Sequence, residues 1–336
     1  MARRKESGLK FGEPEKKSTK QSRKERKTEQ SGEFVMKPKK RHWGVLIAVL
    51  TVLLIAGLLV YLVARSNERL RITEVVVRDE RVPGEFDGFR ILQLSDFNGR
   101  SFGEGNARLI ETVRAIDFDI VVLTGDFVAP GGSIDTFEPV AALLEALAEL
   151  GKPVYYVLGE NDVETPDNAP AGWNRCIEQG DSPVAQKLEE LGAQCVYPLT
   201  VIERGSARIF LTGITYYEKL FDSYSFDSDK DFSICVTHAP IDYDVDKRLE
   251  SVNRYSFREL DFDLSISGHT LGGQYRLPLL KTLYLEGYGL FPQESLSYGL
   301  HKAQNRYSFI TAGLGVKSGF RLCNSPEIAV IELRGN

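Results

Sequence analysis

The apolar and polar positions divide the chain into three unlike stretches. From Trp43 to Ala64 run 22 residues without a charge, with Thr51 the only hydroxyl besides Tyr61. A helix of that length extends about 33 Å at about 1.5 Å per residue, close to the roughly 30 Å of bilayer hydrocarbon. Trp43 and Tyr61 stand near its two ends, where aromatic rings favour the headgroup level. A buried core helix would break such a run with polar residues, and the apolar region of a cleaved secretory signal is shorter, about 7 to 15 residues. The pattern predicts an uncleaved transmembrane signal anchor over residues 43–64. Residues 1–42 hold only seven apolar side chains. These are too few to offset the entropy of ordering the chain, so a disordered tail is predicted.

From Arg71 to the C-terminus the pattern changes to short β-branched runs separated by amphipathic stretches. Runs of strand length occupy Ile72 to Val77, Phe89 to Phe97, Asp119 to Phe127, Pro153 to Asn161 and Ala207 to Thr215, then Phe232 to Pro240, Asp263 to Leu271, Ser308 to Gly315 and Glu327 to Leu333. Apolar residues three and four apart predict helices over Ala107 to Ile116, Phe137 to Leu150 and Val184 to Leu191. Strands and helices alternate at first, and strands dominate later. This order predicts one layered α/β domain over residues 71–336, with two sheets and helices outside.

Charge sharpens the division. The chain has 336 residues and a formal charge of −5, but residues 1–42 carry a net +9 and the remainder −14. An acidic main body argues against nucleic acid as a partner, because phosphate binding needs a basic face. Arg23 to His42 hold eight Lys and Arg against five from Arg65 to Gly84, so the positive-inside rule predicts a single-pass protein of the cell membrane with a cytoplasmic N-terminus and an extracytoplasmic domain. The basic run Lys37, Lys39, Lys40 and Arg41 suits contact with anionic lipid. Cys176, Cys195, Cys235 and Cys323 show no metal spacing; if any two pair, Cys176 and Cys195 are nearest in sequence.

Several apolar runs end in a polar cluster: Ser95-Asp96-Phe97-Asn98, Gly125-Asp126, Gly159-Glu160-Asn161-Asp162, Thr237-His238 and Gly268-His269-Thr270. Ligands of α/β sheets bind outside the carboxyl ends of strands, so five such ends can converge on one site. A lone Asp there is more often a turn or cap, and a lone His a bonded core residue. Five clusters of carboxylate, imidazole and amide, with glycine for close approach, point to a divalent metal.

These motifs in this order resemble the calcineurin-like metallophosphoesterases, in particular their membrane-anchored bacterial branch. The family series runs D-x-H, G-D, G-N-H-D/E, a later H, then G-H-T-H. The flanks ILQLSD, VVLTGD, GHTLGGQYRLP and GLGVKSGFRLCNSPEIAVIEL agree as well. The resemblance implies a four-layer α/β/β/α sandwich after the transmembrane helix. It also implies two transition metals, commonly manganese, iron, zinc or nickel, that share a bridging aspartate at Asp126 and activate water against a phosphoester. The chain keeps Asp96, Asp126, His238 and His269, and departs at four places. Asn98 stands for a histidine, Glu160 for the asparagine, Asn161 for the histidine assisting the leaving group, and Leu271 for the last ligand. An alternative alignment puts Asn161 on the asparagine position and Asp162 on that histidine.

Leu271 has no lone pair, and the amide of Asn98 is a weaker ligand than imidazole. The first metal is therefore expected to be absent or weakly held, while Asp126, Glu160, His238 and His269 offer four donors for one Mn, Zn or Fe ion. The expectation is one ion or none. Two functions follow: a module binding a phosphorylated small molecule, lipid headgroup or protein partner, and a one-metal hydrolase of phosphodiesters or phosphomonoesters at the membrane surface.

Overall fold

The computed structural model describes residues 43–163, 182–196, 199–213, 231–241, 262–303 and 305–335. The predicted tail and Cys176 lie outside the described residues. The elements in chain order are α1 (Trp43–Glu68), β1 (Arg71–Arg78), β2 (Arg90–Leu94), α2 (Ala107–Arg114), β3 (Ile120–Thr124), α3 (Glu138–Glu149), β4 (Val154–Val157), α4 (Pro183–Glu190), β5 (Gln194–Cys195), β6 (Leu199–Arg204), β7 (Ala207–Gly213), β8 (Phe232–Val236) and β9 (Leu264–Ser267). Four two-residue strands follow, β10 (Arg276–Leu277), β11 (Lys281–Thr282), β12 (Tyr284–Leu285) and β13 (Gly289–Leu290), then β14 (Gly299–Ala303), β15 (Arg306–Ile310) and β16 (Glu327–Arg334).

The chain divides within α1 into a unit Met1–Val52 and a unit Leu53–Asn336. α1 runs four residues past the predicted span, to Glu68, and none of its most apolar window is buried against protein. Asn67 explains the longer helix. Its Nδ2 donates to Val63 O one turn back and to Arg321 O, and its Oδ1 accepts from Arg321 N, so the last turn of α1 is tied to the domain.

Six strands form the first sheet in the order β1-β16-β2-β3-β4-β5, and six form the second in the order β14-β15-β9-β8-β7-β6. In the first sheet only the β16–β2 pairing is antiparallel. The two-residue side-chain period of a strand sorts the core into two layers. Leu92, Leu94, Val121, Leu123, Ile328 and Val330 pack under Leu109, Val113, Leu143, Leu147 and Leu188 of the helices. The alternate residues Ile91, Ile120, Val122, Ala329 and Ile331 meet Ile209, Leu211, Ile234, Leu264, Ile266 and Phe309 of the second sheet. Helices, first sheet and second sheet are thus three stacked layers. The other face of the second sheet, with Phe210, Ser233, Cys235 and Ser265, is buried too.

All three predicted helices are present within two residues of their expected ends, and every predicted strand run contains a strand. β5, β6 and β10 to β14 were not anticipated. Cys195, Cys235 and Cys323 form no disulfide among the described residues.

Candidate metal centre

The parallel strands deliver their carboxyl ends to one edge, and the chain there takes a conformation that side chains rarely adopt. Asp96, Asn98, Asp126, His269 and Leu271 all have positive φ, between 49° and 66°. Left-handed backbone costs a non-glycine residue about 1–2 kcal/mol, and such outliers gather where function fixes geometry. The crowding shows at Gly125, with φ +87°: a Cβ there would lie 2.5 Å from Gly159 N and 2.7 Å from His238 Nδ1. Only a glycine lets β3, β4 and the His238 ring approach so closely.

Four of the predicted ligands form a continuous line. His238 Nδ1 lies 2.7 Å from the carbonyl of Thr124, to which it donates, and this leaves Nε2 facing the site. Nε2 is 3.4 Å from Asp126 Oδ2 and 3.2 Å from His269 Nδ1, which is 3.0 Å from Glu160 Oε2. Donor atoms of Glu160, His238 and His269 lie within 4.8 Å of one another, and so do those of Asp96, Asp126 and His238. Asp126 Oδ2 is fully buried and makes no aligned hydrogen bond, the state expected of a ligand oxygen. Glu160, His238 and His269 form one donor group, with Asp126 Oδ2 3.4 Å from its His238 Nε2, and such nitrogen and oxygen donors suit a transition metal. The carbonyl holding His238 supplies the orienting contact such imidazoles usually have.

The second donor group, Asp96, Asp126 and His238, is buried. The Asp96 oxygens also accept hydrogen bonds, Oδ2 from Ser95 Oγ at 2.6 Å and both from the His269 amide. Asn98 Oδ1, the predicted weak ligand, accepts from Asn161 Nδ2 at 3.0 Å. The neutral amide pair occupies the two positions where the family carries imidazoles. Leu271 is buried, and its carbonyl accepts from Asn324 and Arg321. The sequence also placed Asp162 at or beside the site, but its carboxylate faces backbone and accepts N–H groups of Asp126, Phe127, Val128 and Gly159. It fixes the turn that presents Asp126 and Glu160.

Two cations were missed by sequence reasoning. Lys317 Nζ pairs with Glu160 Oε1, so both oxygens of Glu160 are engaged. Arg321 is fully buried, and its guanidinium donates to the carbonyls of Leu271, Ala312, Gly313 and Gly315 around Asp96. The only signal for Lys317 was a lone cation in the glycine-rich GLGVKSG segment. Nothing in the pattern told it from a solvated surface lysine.

The charges balance locally. Burial alone would lower the pKa of His238, but the carboxylates of Asp126 and Asp96 and the Thr124 carbonyl outweigh it and lift it to about 10. Burial likewise works to raise Glu160, and His269 and Lys317 reverse this, holding it well below the usual range. Burial, aided by the charge of Asp126, pushes Asp162 up to about 6 against its backbone donors. A cleft of about 440 Å³ opens beside this cluster, lined among the described residues by Gly132, Ile134, Glu160, Asn161, Val163 and Val184.

Residues 89–273 match the calcineurin-like phosphoesterase family. An uncharacterized metallophosphoesterase of Bacillus subtilis, YkuE, is 26% identical, with 78% of this chain and 85% of that protein aligned. A transmembrane protein with a metallophosphoesterase domain from Danio rerio is 25% identical over 85% of this chain and 62% of its own length. Among solved structures, the Escherichia coli phosphoesterase Yfce aligns with a TM-score of 0.31 and 15% identity, covering 69% of this chain and 84% of that one. The family match spans more than half of the chain and contains all five motif clusters whole, from Ser95 to Thr270. The chain is a member of the calcineurin-like phosphoesterase family.

Proposed function

We propose that this protein is a membrane-anchored binder of phosphorylated ligands. Its family site takes a single divalent ion at most and lacks the groups for efficient phosphoester hydrolysis. The observation that carries this reading is the Lys317–Glu160 pair, which puts a cation of the chain's own on a carboxylate that would otherwise serve a metal. With Lys317, His238 and Arg321 as cations, the carboxylate cluster is largely neutralised from within.

Asp126, Glu160, His238 and His269 would hold the one ion. When bound, it supplies a Lewis acid to a phosphoryl oxygen and lowers the pKa of a coordinated water. The residues at the cleft do the rest. Lys317 and His269, part exposed beside Glu160, present N–H donors to an anion entering from solvent. Asn161 and Asn98 give hydrogen bonds but carry no titrating proton near neutral pH. No proton is therefore delivered to a leaving alkoxide from these positions, and loss of such an acid costs typically about 10²- to 10⁴-fold in rate.

The anchor is α1, long and apolar enough to cross a membrane. The basic flank of residues 23–42 favours a cytoplasmic N-terminus and an outward domain. The test is metal analysis of the full chain in nanodiscs after exposure to Mn²⁺ and Zn²⁺, followed by turnover of bis(p-nitrophenyl) phosphate with Asp126→Asn as control. At most one ion, phosphate binding, and turnover little above the control are expected. Two ions per chain with rapid, Asp126-dependent turnover would overturn the proposal.

A second reading, a one-metal hydrolase, is favoured by Asp126 Oδ2, buried with no aligned hydrogen bond and facing His238 Nε2. One ion per chain together with turnover well above the control would select it.

A further inference from the structure

The large exposed apolar side chains beyond α1 are concentrated at one place. Leu279 is 94% exposed and Leu290 72%, with Leu280, Tyr284, Tyr288 and Phe291 also exposed. All six lie on the two small hairpins β10–β11 and β12–β13, which Leu283 joins by donating to Tyr275 O and accepting from Phe291 N. Contiguous exposed apolar surface of this kind marks an interaction site. Lys281, exposed, stands next to Leu280 at the first tip.

What lies against this surface follows from where the hairpins are rooted. Tyr275 packs edge-on against Phe320, itself 44% exposed, with ring centroids 5.5 Å apart. Arg276 N donates to Leu322 O at 2.9 Å. The residue between, Arg321, exchanges two backbone hydrogen bonds with the side chain of Asn67 in the last turn of α1. Arg100 and Arg108 also donate to the carbonyls of Asn67 and Glu68. The apolar hairpins and the end of α1 are thus fastened to the same loop. A spanning helix leaves the hydrocarbon near its first charged residues, here Arg65 to Arg69, so the hairpin roots stand at headgroup level. The first tip carries Leu279 and Leu280 beside Lys281, and the second hairpin carries Tyr284, Tyr288, Leu290 and Phe291 around a Glu286-Gly287 turn; apolar and aromatic side chains with flanking charge have the composition of an interfacial insertion.

We propose that the hairpins of residues 276–291, with Phe320, dock into the leaflet from which α1 emerges. This rests on α1 spanning a bilayer and adds a second contact that fixes the domain's orientation. The site shares this position: His269 lies six residues before Tyr275, and Lys317 three residues before Phe320. The phosphate that reaches Lys317 and His269 is accordingly one carried at the bilayer surface, on a lipid headgroup.

Docking is tested on the full chain in nanodiscs, with Trp43 and Trp173 replaced by Phe and one tryptophan introduced at a time. Leu280→Trp reports the hairpin and Leu53→Trp the span. Leu150→Trp, on the turn entering β4 at the end remote from Glu160, is the control. An insertion of about 5–10 Å places the Leu280→Trp ring within reach of acyl-chain bromines, so brominated lipid should quench it several-fold more than the control. Quenching at Leu53→Trp but only control-level quenching at Leu280→Trp overturns docking and leaves the span intact. No quenching at Leu53→Trp removes the span, and docking with it. For the ligand source, vesicles containing an anionic phospholipid should compete with inorganic phosphate at the site. Competition by the soluble headgroup phosphoester as strong as that by vesicles would overturn the lipid assignment.

Discussion

Removing the charge of Lys317 tests the idea that the chain substitutes its own cation for part of a metal. Lys317→Met keeps the length of the stem and abolishes the ammonium, freeing Glu160 Oε1. A desolvated charge-assisted hydrogen bond contributes about 1.5–3 kcal/mol, and an exposed ion pair under about 1 kcal/mol. The two side chains are 27% and 35% exposed, so a value between these limits applies, about 1–2 kcal/mol. A divalent ion approaching Glu160 must displace that pair, and it is also repelled by the ammonium, so the figure is a lower bound. At 1.4 kcal/mol per tenfold, the Kd for Mn²⁺ or Zn²⁺ should fall by at least about 5- to 30-fold. Isothermal titration of the full chain in nanodiscs at fixed pH measures this directly. Lys317→Arg, which retains the charge, should bind metal as weakly as the unaltered chain. A Kd for Lys317→Met within about twofold of the unaltered chain would refute the reasoning.

Three further outcomes are expected. Asn98→His, Asn161→His and Leu271→His together should raise bound metal above one ion per chain and increase phosphodiester turnover; unchanged metal analysis would mean that the backbone around Asn98 and Leu271 has diverged beyond its ligands. Gly125→Ala adds left-handed strain of about 1–2 kcal/mol and overpacking of about 1–3 kcal/mol, so thermal unfolding should shift down by about 5–15 °C, and an unchanged Tm would contradict the close approach of β3, β4 and His238. Burial works to raise Glu294, but Arg276 and the Thr282 amide and hydroxyl hold it below its ordinary 4.5. Its stabilisation of the hairpin root is complete above about pH 4.5 and is lost as pH falls through the depressed value; amide exchange over residues 276–290 that stays slow at pH 3 would argue against this anchor.

How far the sequence foretold these features depends on how each is encoded. β3 and β4 are almost wholly apolar because both faces are covered, β2, β8 and β9 add the buried polar residues Gln93, Ser233, Ser265 and Ser267, and α2 to α4 show the spacing of one buried face; these patterns placed the elements. β10 to β13 are two residues each, too short for any period to register. β6 alternates weakly because Val201 and Glu203 face solvent. The site divides in the same way. Asp96, Asp126, Glu160, His238 and His269 stand at strand ends, where topology brings polar residues together. Lys317 and Arg321 reach the site from an irregular loop, and their direction is set by tertiary contacts alone. Asp162 stands beside the site, but that its carboxylate ties up backbone amides could not be read, because such a carboxylate and one that faces a ligand look identical in a string of letters.

The pairing order of the first sheet has a consequence for how the domain forms. β16, the last strand of the chain, lies between β1 and β2, so two of the earliest strands to be synthesised have no hydrogen-bonded partner on their facing edges until the final residues arrive. Until β16 pairs, both edges stay open. Loop closure over some 250 residues is slow, and open edges invite pairing with neighbouring chains. Removing as few as eight residues from the C-terminus would leave a chain that retains every ligand of the site and yet cannot close the sheet that holds them.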